Sequence, residues 1–341
     1  THGLMDCFAL VTVRITDADG VTGTGYTYSV GDIGGGAIHS LLERDLAPLL
    51  RGKDASAIES VWEAMWWYLH FVGRGGIAAS AMAAVDVALW DIGAKRAKLP
   101  LWRHLGGADP AVPAYAGGID LQFSVDQLGE QMKGFVAAGF RAVKMKVGRE
   151  QLREDVARVE AMRTLLGDDF PLMVDANMGW RVDQAVRAAS ALRRFSLVWL
   201  EEPIIPDDLP GHARIATEGG VPLATGENLH TVYEFERMIA HGNVAFPEPD
   251  LCTLGGITPW LKVAHLAQLR NLPVTSHGVH DLHVHLLAAV SNASYLEVHG
   301  FGLENYIADH LTIVDGMATA PDRPGHGVEF DWEALSACAV R

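Results

Sequence analysis

Cysteine is scarce. The chain has three in 341 residues, Cys7, Cys252 and Cys338, and they lie far apart. An odd count at wide spacing argues against a disulfide framework and suits reduced thiols in a cytoplasmic protein. Positive charge is scarce too. Lys and Arg number 27 against 42 Asp and Glu, for a formal net charge of −15. A nucleic-acid binder needs a basic face, as does a protein that rests on an anionic membrane, so neither partner is expected. No apolar run reaches the length of a membrane span, and no signal peptide is visible. A Gly-rich phosphate fingerprint is also missing. The stretch GTGYTYSVG does not fit G-x-G-x-x-G, and it does not open a helix. An acidic protein that binds an anion must therefore concentrate its few cations in one place. The chain opens on Thr1, with no initiator Met, and enters a strand almost at once, so a preceding segment is expected.

The rest of the composition is ordinary, at 49% apolar and 20% charged. The length suits one large domain or two modest ones. Residues 1–108 read as an α+β segment. CFALVTVRI and VTGTGYTYS are β-rich runs joined by the turn signal TDADG. Helical patterns follow over 38–50, 56–70 and from Ile77 onward, with the loop GRGGI between the last two. WEAMWWYLHF, at 62–71, is aromatic enough for an interface and equally suits a core helix. From about Val112 strands and amphipathic helices alternate. Strands are expected at 112–117, 142–147, 172–177, 197–203, 223–228, 246–251, 274–277 and 295–298. Eight parallel βα units within 109–305 predict an α/β fold with a closed barrel rather than an open sheet. The tail, 306–341, returns to loop-rich character and is expected to complete the first domain.

Chemistry in such a barrel sits at the C-terminal strand ends. Read in order, those ends carry Lys144 and Lys146, Asp175 and Asn177, Glu201 and Glu202, Glu227 and Asn228, Glu248 and Asp250, His277, and Glu297. Any one acid there is more often a cap or a solvated loop residue. The ordered series is what points to a site. Asp175, Glu201 and Glu227 on adjacent strands suit a hard divalent cation, and Mg²⁺ prefers such oxygen ligands. No Cys or His is among them, which disfavours zinc. Strand alternation turns only one Glu of EEP inward, and Glu201 is assigned that place.

Lys144 and Lys146 share one strand face. Burial and a second cation both lower a lysine's hold on its proton, so an amine in this pair is expected to act as a general base near neutral pH. The alternative is a pair of lysines salt-bridged to barrel carboxylates. Asp250, one strand before His277, is a candidate orienter of its ring. Glu297, if protonated, would donate a hydrogen bond to a developing oxyanion. Together these groups describe removal of a proton α to a carboxylate.

The series K-x-K, VDAN, EEP, GEN, D, H and E resembles the enolase superfamily, mandelate racemase subgroup. AAVDVALWDIGAKRAKLPLWRHLGG (83–107) and DLCTLGGITPW (250–260) extend the likeness over essentially the whole chain. The resemblance implies an α+β capping domain on a (β/α)7β barrel and one essential Mg²⁺ on Asp175, Glu201 and Glu227. It implies Lys146 as base, with Lys144 tuning it and touching the substrate carboxylate. It also implies a His277–Asp250 dyad and Glu297 as electrophilic acid. Lys144, Asn177, Asn228 and Glu297 are then expected to face a small anionic hydroxy acid, and a homo-oligomer is expected. The family's first strand and specificity loop should precede or include Thr1 and His2. Where mandelate racemase has a serine near the end of the first barrel strand, this chain has Gly117. With His280, Asp281 and Arg74, that favours a polyhydroxylated substrate. The expected reaction is dehydration of a sugar acid to a 2-keto-3-deoxy acid. One alternative is a racemase that uses Lys146 and His277 on opposite faces. Others are a zinc hydrolase built on His280, His283 and His285, and a barrel that binds without catalysis.

Overall fold

The computed structural model describes residues 7–31, 33–299 and 302–339. The segment expected around Thr1 and His2 lies outside them. The first domain begins with an antiparallel hairpin, β1 (Phe8–Thr16) and β2 (Thr22–Val30). Its helices are α1 (Gly35–Leu41), α2 (Ala47–Leu50), α3 (Ile58–Leu69), α4 (Ile77–Ala97) and α5 (Leu101–His104). One turn of π-helix, Leu42–Leu46, joins α1 to α2. The hairpin lies on α4 at backbone distance. A Cβ added at Gly25 would sit 2.0 Å from the Ala84 carbonyl oxygen, and one at Gly23 2.1 Å from that of Ala88. Only glycine permits this approach.

By length and composition α4 is apolar enough to cross a membrane, which the sequence reading had missed. Most of it is buried between the hairpin, α3 and the second domain, because it packs on several sides at once. On α3, Trp62, Met65, Trp66 and Leu69 are buried, while Trp67 and Tyr68 face solvent, followed by Phe71 and Val72.

The second domain alternates strands and helices: β3 (Ala111–Gly117), α6 (Val125–Ala137), β4 (Val143–Lys146), α7 (Leu152–Leu166), β5 (Leu172–Asp175), α8 (Val182–Leu192), β6 (Leu200–Glu201), α9 (Leu209–Gly219), β7 (Leu223–Thr225), α10 (Val232–His241) and β8 (Phe246–Pro247). Then come α11 (Leu251–Leu254), α12 (Ile257–Leu269), α13 (His280–Ala289) and β9 (Leu296–Val298). Strands β3 to β8 pair in parallel in chain order, and β9 returns to pair with β3. The expected strand at 274–277 keeps only sparse ladder bonds. Thr275 N–H donates to Pro247 O at 3.0 Å, and Val274 bridges Ala293. β3 runs one residue longer than expected, and the remaining strands are shorter than the apolar runs foretold, because their ends turn into the loops that carry the polar groups.

Alternation decides which side chains point into the barrel. Val143, Met145 and Val147 pack outward under the helices with Leu172 and Val174. Inward, Tyr115, Ala142, Met173, Trp199 and Ala224 fill the bottom of the barrel. Lys144, Lys146, Asp175 and Glu201 have the same inward parity and stand above that plug. The tail serves both domains. β10 (Ile313–Val314) and β11 (Met317–Thr319) form a hairpin, with β11 antiparallel to β3. Further on, before α14 (Trp332–Ala337), Phe330 meets Tyr26 of β2 edge-on at 5.2 Å.

Candidate active site

Register assembles the site. Lys146 is paired with Asp175, and Asp175 with Glu201, on three neighbouring strands. Asp175, Glu201 and Glu227 each offer one oxygen, and the three lie within 4.8 Å of one another. Asp175 Oδ1 also accepts the Asn177 N–H at 2.7 Å. Trp199 Nε1–H donates to Glu201 Oε2 at 2.9 Å. Glu202 accepts from Asn228 Nδ2 at 2.9 and 3.0 Å and is not among the three carboxylates that cluster. Asn228, expected on the substrate, has its amide committed to Glu202, with a weaker 3.3 Å contact to Glu227.

The lysines lie inside this acidic ring. Lys144 is wholly buried, 2.5 Å from both Glu201 Oε1 and Glu297 Oε1, and its ammonium sits 5.3 Å from the centre of the Tyr115 ring. Lys146 pairs with Asp175 Oδ2. The expectation that Lys144 keeps Lys146 unprotonated is not met by these groups alone. Burial and Lys144 do work against its charge, but Asp175, Glu201 and Glu227 outweigh them and hold its pKa above the ordinary value. The salt-bridged arrangement is the one present. Glu297 differs from expectation in the same way. Burial would raise its pKa, yet His299, Lys144 and His277 together pull it well below the carboxylate range, so it is a charged acceptor and not an acid. Burial pushes Glu201 up to about 8, against the pull of Lys144.

His277 lies across the ring. Its Nδ1 is 3.0 Å from Asp250 Oδ2 and its Nε2 is 2.9 Å from Glu227 Oε2. Burial opposes the imidazolium, but Glu227, Glu297 and Asp250 raise its pKa well above the usual value. Asp250 also caps α11, with Oδ1 accepting Cys252 N–H at 2.8 Å. Gly278 N–H donates to Glu297 Oε2 at 3.0 Å.

Several partners escaped the sequence reading. His299 Nε2 lies 2.8 Å from Glu297 Oε1. It is two residues beyond Glu297 on one strand face, and alternation alone would have found it. Trp199 is two before Glu201 and was legible in the same way. The Gly117 position is now explained, since a Cβ there would meet His299 Cε1 at 2.9 Å. Glu248, also buried, accepts the Tyr115 hydroxyl at 3.2 Å. Tyr28, from the other domain, donates to Asp250 Oδ2 at 2.7 Å.

The zinc alternative does not fit. His283 Nε2 accepts the Leu251 N–H at 3.1 Å, and its Nδ1 meets the Gly278 carbonyl at 3.2 Å. His285 Nδ1 accepts the Trp102 N–H at 3.3 Å, and its Nε2 donates to His326 O at 2.8 Å. Both rings are fully committed to backbone. His280 Nε2 lies 3.5 Å from Asp281 Oδ2, and Arg74 stacks over Trp66 at 5.4 Å.

A capping α+β domain over a parallel barrel, with carboxylates and bases at the strand ends, defines a class of metal-assisted barrel enzymes. Comparison with known families agrees. Residues 3–106 match the mandelate racemase/muconate lactonizing enzyme N-terminal domain, and residues 127–334 match the enolase C-terminal domain-like family. The chain belongs to the enolase superfamily, in its mandelate racemase/muconate lactonizing enzyme family.

A 3,6-anhydro-alpha-L-galactonate cycloisomerase of Streptomyces coelicolor is 56% identical over 340 residues, covering 100% of this chain and 94% of the relative. Among solved structures, a racemase from Streptomyces coelicolor A3(2) with bound magnesium superposes with a TM-score of 0.97 at 55% identity, over 100% of this chain and 94% of that one. An L-talarate dehydratase from Polaromonas sp. JS666, complexed with Mg and L-glucarate, gives 0.92 at 37% identity, over 96% and 91%.

Proposed function

We propose that the protein is a Mg²⁺-dependent acid-sugar enzyme that removes the proton α to a carboxylate and expels the oxygen on C3. The observation that carries this reading is the pair of nitrogen bases flanking one carboxylate cluster. In ring order Lys146 stands before Asp175, Glu201 and Glu227, and His277 stands after them. Those three residues would hold the metal, and their all-oxygen donor set fits Mg²⁺ better than zinc. When bound, Mg²⁺ supplies Lewis-acid stabilisation of negative charge building on the substrate carboxylate.

The chain's own residues divide the remaining work. Lys144, anchored by Glu201 and Glu297, meets the substrate carboxylate as a fixed positive charge. Lys146 takes the C2 proton as the neutral amine: its own proton must first pass to solvent, a loss that burial and Lys144 favour once Asp175 no longer pairs with it. The electron pair left at C2 forms the C2=C3 bond, and the C3–O bond breaks. His277, held through Nδ1 by Asp250, protonates the departing oxygen from Nε2. The enol then tautomerises to a 2-keto-3-deoxy acid. On a 3-hydroxy acid the oxygen leaves as water, which is dehydration. On a 3,6-anhydro acid it stays attached at C6, and the net change is isomerisation. The full-length likeness to a cycloisomerase at 56% identity favours the second outcome, and the likeness to a talarate dehydratase keeps the first.

The test is incubation of 3,6-anhydrohexonates, aldonates and aldarates with Mg²⁺ in D₂O, followed by NMR and mass spectrometry. A keto acid of unchanged mass, apart from deuterium, is expected from the anhydro acid. α-Deuteration with the C3 oxygen retained would mean a racemase. Full turnover by both Lys146→Ala and His277→Asn would remove the assigned bases.

A further inference from the structure

We infer that Tyr28 is a positioning residue for the His277–Asp250 dyad, so that the barrel's acid–base histidine is set only when the cap strand is seated. The inference rests on the proposed reaction for its consequence but not for its geometry. Asp250 Oδ2 is shared. It accepts the Tyr28 hydroxyl at 2.7 Å and faces His277 Nδ1 at 3.0 Å, while Oδ1 accepts Cys252 N–H. The hydroxyl itself lies 3.5 Å from His277 Nδ1. With both oxygens engaged, the carboxylate cannot swing, and it holds Nδ1 as the donor and Nε2 toward the carboxylate ring.

The contact is built on both sides. From the cap, Thr27 Oγ1 donates to Cys252 O at 3.3 Å, and Cys252 Sγ meets Tyr26 O at 3.8 Å. Three consecutive residues of β2 thus lie along Asp250–Cys252. Their strand is pinned from behind by the close approach of Gly23 and Gly25 to α4. From the barrel, Gly278 has φ +65°, and a Cβ there would lie 2.5 Å from the Tyr28 hydroxyl and 2.8 Å from Asp250 Oδ2. The residue after His277 must lack a side chain for Tyr28 to reach the dyad. Packing alone would be served by phenylalanine, which fills the same space against Phe8, 6.3 Å away between ring centres.

The experiment uses the full-length protein with Mg²⁺ and the variant Tyr28→Phe, alone and with Asp250→Asn. Histidine-selective NMR follows the His277 Nδ1–H resonance, identified by its loss in His277→Asn. Exchange of the α-proton is measured on two C2-epimeric sugar acids, one presenting that proton to Lys146 and the other to His277. Losing a hydrogen bond to a charged group implies a fall of roughly ten- to a hundredfold on the His277 face. The Lys146 face should stay within about threefold. The resonance should move, the unfolding temperature should hold, and Tyr28→Phe should cost nothing more in the Asp250→Asn background. An unmoved resonance, equal losses on both faces, or losses that multiply with Asp250→Asn would overturn the inference. If the unaltered protein exchanges no α-proton at all, the proposed function fails, and the resonance alone decides on Tyr28.

Discussion

Acid should unfasten α13 through two histidines that take no part in the chemistry. His283 and His285 are buried, and each presents both ring nitrogens to backbone groups. Burial, the largest influence, lowers their pKa values from 6.5 to about 4 and about 3. Both rings are neutral in the folded protein, while the unfolded chain binds a proton at each below pH 6.5. The stabilisation is therefore complete above that value and is lost as pH falls toward the folded values. Between pH 6.5 and 4.5 the gap is roughly 2 units, or about 3 kcal/mol per histidine at 1.36 kcal/mol per unit.

Asp86 works in the opposite sense over part of this range. Burial raises it from 3.8 to about 7, so its contribution is present at low pH and fades as pH rises through 7. A difference measurement isolates the histidine. Gln at 285 can keep one acceptor and one donor but cannot titrate. In urea unfolding followed by tryptophan fluorescence, His285→Gln should lose about 3 kcal/mol less than the unaltered protein between pH 7 and 4.5. Equal losses in the two proteins would refute the reasoning, as would a ring in the folded protein that titrates near 6.5 by NMR.

Gly25→Ala would place a methyl 2.0 Å from Ala84 O and force β2 off α4. A loss of roughly 1–3 kcal/mol is expected by thermal unfolding, and no loss would mean that the hairpin is not seated as described. Trp199→Phe removes the indole donor to Glu201 Oε2. It should weaken Mg²⁺ binding by calorimetry about tenfold, and unchanged affinity would mean that Glu201 is oriented by Lys144 alone. Mg²⁺ at a hundred times its dissociation constant should stabilise the protein by about 2.7 kcal/mol. Asp175→Asn should lose that response, and if it keeps it the metal sits elsewhere.

Much of the site was legible because a strand's period is two. Lys144 with Lys146, and Asp175, Glu201 and Glu297, could be read inward from the order of apolar and polar residues alone. The same period contained Trp199 and His299, which went unread because no charge or strand end drew notice to them. Apart from β3, strand lengths were overestimated, since an apolar run continues past the last ladder bond into the loop. At 274–277 the ladder was too sparse to form a regular strand, although His277 still arrived where expected. The charge states could not be read. Whether Lys146 is neutral or Glu297 protonated depends on how many opposite charges stand within a few ångströms, and that is a sum over seven strands.

From the linear order alone came the barrel, the series of acids and bases around its mouth, and the superfamily it resembles. These depend on local periodicity and on chain order, which a parallel barrel converts directly into neighbourhood. Only the tertiary structure decided the pairings, Lys144 with Glu201 and Glu297, Lys146 with Asp175, and Asp250 between His277 and Tyr28. Tyr28 and Asp250 are 222 residues apart. No repeat or spacing links them, because their meeting depends on how one domain lies on another, and that is set by packing over the whole of α4 and β2.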